Sequence, residues 1–459
     1  MFDEKKGAKQ MNATHLKPLL GLKARKINRT ASPGMKSSFL AMFLALALHP
    51  ATIVSADEPN SLERVPDQLL YQPTAVPDRI VLCWSADPAI TQAVNWRTDS
   101  SVISSVGQVA RAGEGPGFVD HVQTIAATTT PLETDLGLAH YHAVEFEGLL
   151  PETKYAYRVG DGTNWTEWAH FQTASTDAKP FTFIYLGDAQ NNIKSLWSRV
   201  VREAYRDASR AAFILHAGDL VDGANRDGQW GEWFYASGFI HRSTACVATP
   251  GNHEYGNGAL SRHWRPTFSF PLNGPEGLKE TVYYFDYQGT RIISLNSSEK
   301  REAQTTWLKQ VLSENRQPWV IVTLHHPIYS AAKERDNLEL RNLWQPVFDY
   351  FGVDLVLQGH DHAYARSSLM THTNVADGLT KRNASGTVYV VSVSGPKMYE
   401  AKKQTIMRKT GQHLQLYQII TIDGNDLRYE ARTATGKRHD AFILRKQPGQ
   451  SNQLIELLP

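Results

Sequence analysis

Five apolar runs between residues 181 and 359 are typical of buried strands, and a polar residue follows each run. In chain order these strand-end residues are Asp188, Asp219, Asn252, His325, and the pair His360 and His362. In open α/β sheets, ligands gather beyond the strand ends, where loops carry the polar groups that buried strands cannot. We therefore expect these six side chains to lie together at one edge of a sheet.

The same part of the chain alternates strands with amphipathic stretches. Residues 196–210, 304–314 and 338–351 have helical patterns, and they lie between the apolar runs. Such alternation is typical of an α/β domain, which we place at residues 179–437. The last 22 residues, 438–459, are predicted to be a C-terminal tail.

Residues 77–175 show a different pattern, with short strands separated by turn residues. The predicted strands are 80–84, 92–96, 141–146, 155–159 and 167–171, which favours an all-β sandwich. The segment Leu149–Val159 resembles the tyrosine corner of fibronectin type III domains, which implies that the Tyr155 hydroxyl bonds to nearby backbone. Residues 57–76 are rich in proline and polar residues, and we interpret them as a linker.

The N-terminal region carries an export signal that begins late. The apolar run 39–48 follows Lys36 and precedes the small residues 54–56, which predicts a signal peptide at 35–56. Residues 1–34 are then an unstructured extension or the product of a mis-assigned start. The alternative is a membrane anchor, but the run is shorter than the ~20 residues of a span. We expect an exported protein, periplasmic or secreted, without a stable membrane anchor.

Composition narrows the choice of partners. The 459 residues carry a formal net charge of +2, so an obligate nucleic-acid partner is not expected. Only two cysteines occur, Cys83 and Cys246. They lie far apart on predicted interior strands, so we interpret both as small buried apolar side chains, with a disulfide between them as the alternative. Neither has a spacing that would hold zinc.

The strand-end residues define a ligand chemistry. Asp, Asn and His side chains without thiolate suit divalent or iron-type ions such as Fe, Zn or Mn. Two such ions ~4 Å apart can hold a phosphoryl group and lower the pKa of a water between them. This chemistry indicates hydrolysis of a small phosphate ester.

These motifs, in this order, resemble the calcineurin-like metallophosphoesterase superfamily. The matching segments are Asp188, Gly218-Asp219, Gly251–Glu254, Val322–His325 and Gly359–His362. With the preceding β-sandwich and the closing segment 359–366, the chain is most similar to purple acid phosphatases over about residues 75–435. The resemblance implies a catalytic domain built as a central β-sandwich flanked by helices.

The resemblance also implies roles for single residues. Asp219 would bridge two metal ions. Asp188 and His362 would complete one site, and the other would be completed by Asn252, His325 and His360. His253 would protonate the leaving alkoxide or steady the phosphate.

Several further residues keep two interpretations. His326 is either a neighbour of the metal ligands or the start of the turn at Pro327. His216 is more simply a core histidine whose hydrogen bonds are satisfied. Tyr364 and Arg366 either line the substrate cleft or have no special role, and the stretch 263–265 has phosphate contact as one of its interpretations.

Two positions depart from the purple acid phosphatase pattern. That family has glycine two residues after the first aspartate and tyrosine three residues after the second, whereas this chain has Gln190 and Asp222. Other superfamily members have histidine at the first position. Gln190 can offer its amide oxygen to a metal, and both residues are therefore candidates for metal binding or for supporting the ligands.

The sequence as a whole predicts an exported dinuclear enzyme that hydrolyses phosphate esters by attack of a metal-bridged hydroxide. Phosphomonoesters are favoured over diesters, and a phosphodiesterase or nucleotidase is the alternative on the same site. An alternative of another class is an inactive binding or adhesion protein. The six intact ligand positions argue against it.

Overall fold

The computed structural model describes residues 65–370 and 386–457. The predicted signal peptide and N-terminal extension lie outside the described residues. The predicted linker is described only from residue 65, and it contains a short helix, α1 (Asp67–Tyr71). Among the described residues, no helix is both long enough and apolar enough to cross a bilayer.

The first part of the described chain is a sandwich of two four-stranded antiparallel sheets, β1-β2-β6-β5 and β4-β3-β7-β8. The strands are β1 (Asp78–Cys83), β2 (Gln92–Asp99), β3 (Val106–Arg111), β4 (Gln123–Ala126), β5 (Thr128–Thr134), β6 (Gly137–Phe146), β7 (Lys154–Gly160) and β8 (Ala169–Gln172). The predicted sandwich is confirmed. The sequence analysis missed β3, β4 and β5; in β4 and β5 most side chains are exposed and give no alternating apolar pattern.

The tyrosine corner is present. The amide of Leu150 donates to the Tyr155 hydroxyl at 2.9 Å, so the hydroxyl ties the turn before β7 to that strand. The Tyr155 ring stacks on Phe171 in the core of the sandwich. Its role is therefore structural, as the resemblance implied.

The second part contains two seven-stranded sheets, β11-β10-β9-β21-β22-β23-β24 and β14-β15-β16-β17-β19-β18-β20, and one small hairpin, β12-β13. The strands are β9 (Phe181–Leu186), β10 (Phe213–His216), β11 (Ala245–Ala248), β12 (Tyr255–Gly256), β13 (Ala259–Leu260), β14 (Tyr283–Tyr287), β15 (Thr290–Ser294), β16 (Trp319–Leu324), β17 (Leu355–Gln358), β18 (Tyr364–Ser367), β19 (Val388–Val391), β20 (Met407–Gly411), β21 (Leu416–Asp423), β22 (Asp426–Thr433), β23 (Arg438–Arg445) and β24 (Gln453–Glu456). The helices are α2 (Ser198–Asp207), α3 (Asp227–Ser237), α4 (Trp264–Thr267), α5 (Arg301–Ser313) and α6 (Leu338–Phe351).

The two large sheets share a core between them, and helices cover their outer faces. Alternate residues of β16 show this arrangement: Trp319 and Ile321 join the core between the sheets. Val320 and Val322 join a second cluster with residues of α5 and α6. Because β16 is covered on both sides, it is apolar without alternation, and the predicted α/β fold is confirmed.

The predicted C-terminal tail at 438–459 is wrong. Strand β23 pairs with β22, and β24 pairs with β23, so the chain end extends the sheet. Arg366 donates to Asp440 at 2.6 Å and to Glu456 at 2.8 Å, and so fixes both strands. Residues 440–442 and 444 are buried, and the apolar run 441–444 is a strand signal that the interpretation as a tail overlooked.

A buried ion cluster joins the β-sandwich to the second part. Arg79 and Arg97, from β1 and β2, donate to the two carboxylate oxygens of Asp227 at 2.7 and 2.9 Å. Asp227 is the first residue of α3, and all three side chains are buried. Asp227 therefore stabilises the contact between the β-sandwich and the second part of the chain.

Candidate metal centre

The site forms where parallel strands end at the same edge. Strands β9, β10 and β11 run parallel in one sheet, and β15, β16, β17 and β19 run parallel in the other. The residues that follow β9, β10 and β17 have left-handed backbone: φ is 44° at Asp188, 53° at Asp219 and 70° at His360. Such conformations cost of order 1–3 kcal/mol each and cluster at functional sites.

Asp219 lies at the centre of the arrangement. Its carboxylate belongs to one group with Asp188 and His362 and to another with His325 and His360. Within each group the potential ligand atoms lie within 4.8 Å of one another. A carboxylate shared by two ligand groups is what a bridging position requires.

Asn252 closes the second group. Its Oδ1 lies 2.8 Å from His360 Nδ1 and 3.1 Å from His325 Nε2, and His325 Nε2 lies 3.1 Å from Asp219 Oδ2. The structure thus brings all six predicted ligands together. Their role as metal ligands stays a prediction.

Backbone carbonyls orient two of the imidazoles. His325 Nδ1 donates to the carbonyl of Ala217 at 2.8 Å, and His362 Nδ1 donates to that of Lys397 at 2.9 Å. Each bond keeps a proton on Nδ1 and turns Nε2 toward the carboxylates, so Nε2 is the nitrogen available to a metal ion. Orientation of this kind is typical of metal-binding histidines.

A cation would stabilise the buried carboxylates. Burial and the neighbouring Asp219 charge raise the pKa of Asp188 well above its ordinary value. Burial opposes protonation of His325, but the charge of Asp219 outweighs it and raises the pKa of His325 to about 10. An imidazolium at His325 thus offsets the charge of Asp219, and a metal ion would supply this positive charge without a proton.

The other two histidines are held in the neutral form that binds metals. Burial and the charge of His325 lower the pKa of His360 to about 2. Burial lowers the pKa of His362 to about 4. Their ring nitrogens need not lose a proton at neutral pH before they ligate an ion.

Gln190 lies against two of the predicted ligands. Its Nε2 lies 3.0 Å from Asp219 Oδ2 and 3.1 Å from His362 Nε2, and its Oε1 is buried without a hydrogen-bond partner among the described residues. Turning the amide by 180° puts Oε1 among the ligand atoms, where it can bind a cation. The donor set therefore fits a pair of metal ions.

His253 stands at the open side of the site. Its amide donates to Asp219 Oδ1 at 2.9 Å, and its Nδ1 donates to the carbonyl of Asp222 at 2.7 Å. The side chain is 27% exposed, so a substrate can reach Nε2. The Asp222 carboxylate accepts from Asn191 Nδ2 at 3.0 Å. The backbone carbonyl of Asp222 holds the His253 ring, which indicates that Asp222 supports His253.

His326 packs behind the ligands. Its ring centroid lies 4.3 Å from that of His360, and its Nδ1 lies 2.8 Å from the hydroxyl of Ser297. The contact indicates that His326 orients His360, which is the first of its two interpretations.

For two residues, the interpretation as a substrate contact does not fit the structure. Tyr364 is 1% exposed, and its hydroxyl donates to Asp440 at 2.7 Å. It therefore does not line a cleft, because the hydroxyl anchors β18 to β23. His263 is fully buried, with Nε2 3.2 Å from Asp227, so it belongs to the ion cluster.

The sequence analysis missed two residues that shape the ligand loops. Glu254 is buried and accepts the amides of Asp219 and Leu220 at 2.8 Å and that of Gly251 at 2.7 Å. Gly251 has to be glycine, since a Cβ there would lie 2.2 Å from Asp219 Oδ1. The signal was available, because Glu254 ends the Gly-Asn-His-Glu tetrad.

Asp361 is the second missed residue. It lies between the two histidines of 360–362 and is fully buried. Its carboxylate accepts from the Ser330 hydroxyl at 2.6 Å and from the Ala331 amide at 2.7 Å. It therefore ties the histidine loop to the segment that follows β16.

Comparison with known proteins agrees with this geometry. The family model of calcineurin-like phosphoesterases matches residues 181–364, and that of the purple acid phosphatase N-terminal domain matches residues 77–173. This chain carries a calcineurin-like phosphoesterase domain behind a purple acid phosphatase N-terminal domain. The resemblance stated from the sequence is thus confirmed.

Individual relatives are distant. An uncharacterized protein of Mycobacterium tuberculosis is 27% identical over 60% of this chain and 59% of its own length. A purple acid phosphatase of Glycine max is 27% identical over 55% and 59%. The chain thus spans about three fifths of the length of these relatives.

A solved structure shares the fold. The purple acid phosphatase PPD1 from yellow lupin superposes with a TM-score of 0.68 at 18% identity, and the match covers 81% of this chain and 75% of the lupin chain. At this identity the likeness concerns the fold alone.

Proposed function

We propose that this calcineurin-like phosphoesterase hydrolyses phosphate monoesters at a centre of two metal ions. The observation that carries the proposal is the position of Asp219, whose carboxylate is shared by both ligand groups. When bound, two ions would hold the phosphoryl oxygens and lower the pKa of a water nucleophile.

The ligands divide between the two positions. Asp188, Asp219 and His362, together with the amide oxygen of Gln190, would hold one ion. The other would be held by Asp219, Asn252, His325 and His360. Both sets contain only oxygen and imidazole donors, which suit Fe, Zn or Mn.

His253 is the residue proposed to act on the leaving group. The carbonyl of Asp222 holds Nδ1, which leaves Nε2 directed away from that bond and accessible to a substrate. A protonated Nε2 at this place can donate to the alkoxide that departs from phosphorus. A general acid positioned in this way contributes typically 10²–10⁴-fold to the rate.

The choice of a monoester substrate is supported by the names of the relatives and not by a feature of the site. The Glycine max relative is named a phosphatase, and the proposal extends that activity to this chain. An aryl phosphomonoester and the corresponding diester, compared across pH with Fe(II), Zn(II) or Mn(II), test it. We expect the monoester to react with the larger kcat/KM.

Two outcomes would contradict the proposal at different levels. A larger kcat/KM for the diester would contradict the monoester preference but would still support the proposed hydrolase activity. Absence of turnover with all three metals and both substrates, in a folded protein that binds two ions, would instead favour the inactive binding protein.

Export is a further part of the proposal. It rests on the apolar run 39–48 and the small residues 54–56, which lie outside the described residues. N-terminal sequencing of the protein recovered from outside the cytoplasm tests it. A mature chain that begins near residue 57 is expected, and an intact residue 35 would contradict cleavage.

A further inference from the structure

Three potential soft-metal ligands meet in the core away from the carboxylates. Atoms of His216, His241 and Cys246 all lie within 4.8 Å of one another. His216 ends β10, Cys246 lies in β11, and His241 lies in the short 3₁₀ turn Ile240–Arg242 before that strand. We call these three residues the His-His-Cys cluster.

The strand register explains why the cluster forms. Strands β10 and β11 run parallel, and Ile214 is the partner of Cys246. Side chains two residues apart share a face of a strand, so His216 and Cys246 point to the same side of the sheet. His241 reaches that side from the preceding turn, and its ring centroid lies 5.3 Å from that of His216.

The cluster is buried, and three of its four ring nitrogens have no hydrogen-bond partner among the described residues. Exposure is 1% for His216 and 0% for His241 and Cys246. Among the described residues nothing hydrogen-bonds to Nε2 of His216 or to either ring nitrogen of His241. The expectation that the hydrogen bonds of His216 are satisfied is therefore wrong.

Aromatic packing holds the imidazoles in place. The Trp233 ring stacks on His241 at 4.5 Å with an interplanar angle of 14°, and it meets His216 edge-on at 5.3 Å. A buried polar nitrogen without a partner is unfavourable, and two rings fixed in this way cannot turn easily to other partners. A ligand that accepts their lone pairs would remove the penalty.

We propose that the His-His-Cys cluster binds one Cu⁺ ion. Binding would release the thiol proton of Cys246 to solvent, and the ion would then be held by one thiolate sulfur and two neutral imidazole nitrogens. The single positive charge of Cu⁺ would cancel the negative charge of the thiolate, so the occupied site would be neutral in an apolar core. Thiolate and imidazole are ligands that copper prefers.

The charge of the ion and the number of ligands favour Cu⁺ over Zn²⁺ in this cluster. Zinc would leave one uncompensated positive charge in the core, which is costly, and structural zinc almost always has four protein ligands.

Metal bonds of ~2.0–2.3 Å place the ligand atoms ~3.5 Å apart, so the three side chains must approach one another by roughly 1 Å. Burial already keeps both imidazoles neutral, and it lowers the pKa of His241 to about 3.

The test uses the full chain, refolded with excess Cu⁺ under anaerobic reducing conditions and then desalted. Copper per chain, X-ray absorption at the copper edge and competition with a Cu⁺ chelator are measured, with circular dichroism to check folding. Cys246→Ser and His241→Phe remove ligands, and phenylalanine keeps a ring against Trp233. Cys83→Ser is the matched control, because Cys83 is also a buried free thiol but is not in the cluster.

We expect one copper per wild-type chain with sulfur in its first coordination sphere. Cys246→Ser and His241→Phe should each weaken binding by more than the ~10–100-fold that loss of an outer partner costs, and Cys83→Ser should bind as wild type. The carboxylate centre contains no thiolate, so the sulfur signal is specific to the cluster. Folded wild type that binds no copper, copper without sulfur scattering, or sulfur-bound Zn²⁺ without Cu⁺ binding would overturn the proposal.

Discussion

The side-chain amide of Gln190 lies 3.0 Å from the bridging candidate Asp219. An uncharged amide thus stands where the purple acid phosphatase pattern has glycine and where other superfamily members have histidine. The position is fully enclosed, since Gln190 is 1% exposed. One of the two proposed metal positions would therefore have a weak neutral donor at residue 190, and its ion should be held less tightly than with an imidazole there.

Gln190→His should tighten that position. Imidazole is a better donor than a carboxamide for Zn(II) and Fe(II), and the side chain already lies 3.1 Å from His362 Nε2. Metal retained against increasing chelator measures the effect, and the variant should require a higher chelator concentration. Gln190→Ala is the matched variant in the other direction and should lose one ion first. Equal retention by all three proteins would show that residue 190 is not a ligand.

The protein should be colourless even when it is loaded with iron. The colour of purple acid phosphatases comes from a tyrosinate bound to ferric iron, and the corresponding residue here is Asp222. Visible absorption of the iron-loaded protein checks this expectation. An intense charge-transfer band would show that another tyrosine has the role, and Tyr399 is the first to replace by phenylalanine, because its ring contacts His362 at 4.7 Å.

His253→Ala should lower turnover by ~100-fold or more on esters with poor leaving groups, as loss of a general acid does. The effect should shrink on substrates whose leaving group needs no proton, and metal content should not change. Steady-state rates over a series of leaving groups, with metal analysis of each sample, measure it.

The control for that experiment is Asp222→Asn. His253 Nδ1 donates to the backbone carbonyl of Asp222 at 2.7 Å, whereas the carboxylate is 3.5 Å away. The amide keeps the carbonyl, so turnover should stay near wild type. An unchanged rate for His253→Ala on a poor leaving group would contradict its assigned role.

Asp227→Asn should destabilise the protein by about 3–5 kcal/mol, because removing one partner leaves buried charges uncompensated. Burial would raise the pKa of Asp227, but hydrogen bonding from His263 and the charges of Arg79 and Arg97 hold it below its ordinary value. The stabilisation is therefore complete above the unfolded pKa of about 3.9 and is lost as pH falls through the folded pKa.

Chemical denaturation at pH 7 and at progressively more acidic pH measures both parts of this prediction. The difference between wild type and Asp227→Asn should be largest at neutral pH and should shrink in acid. Asp426→Asn is the control, since its partner Arg445 is 48% exposed and surface ion pairs contribute little. Equal effects of the two substitutions would contradict the importance of burial.

Part of this structure was predictable from local patterns, and the rest depended on packing. The grouping of the six candidate ligands could be predicted because each follows an apolar run and the strand ends meet at one edge. Helix α3 could not, because eight of its eleven residues are buried and no polar face marks its period. The contact between His216 and His241 arises from the three-dimensional packing of β10 against the turn before β11, and no spacing in the sequence indicates it.

The most direct test of the dinuclear centre is the number of Fe, Zn and Mn ions per chain in wild type and in Asp219→Asn, measured on samples assayed for phosphomonoester hydrolysis. One carboxylate serves both ligand groups, so we predict two ions in active wild type. The folded variant should lose the paired centre together with nearly all turnover. A folded Asp219→Asn protein that keeps two ions and wild-type turnover would contradict the account.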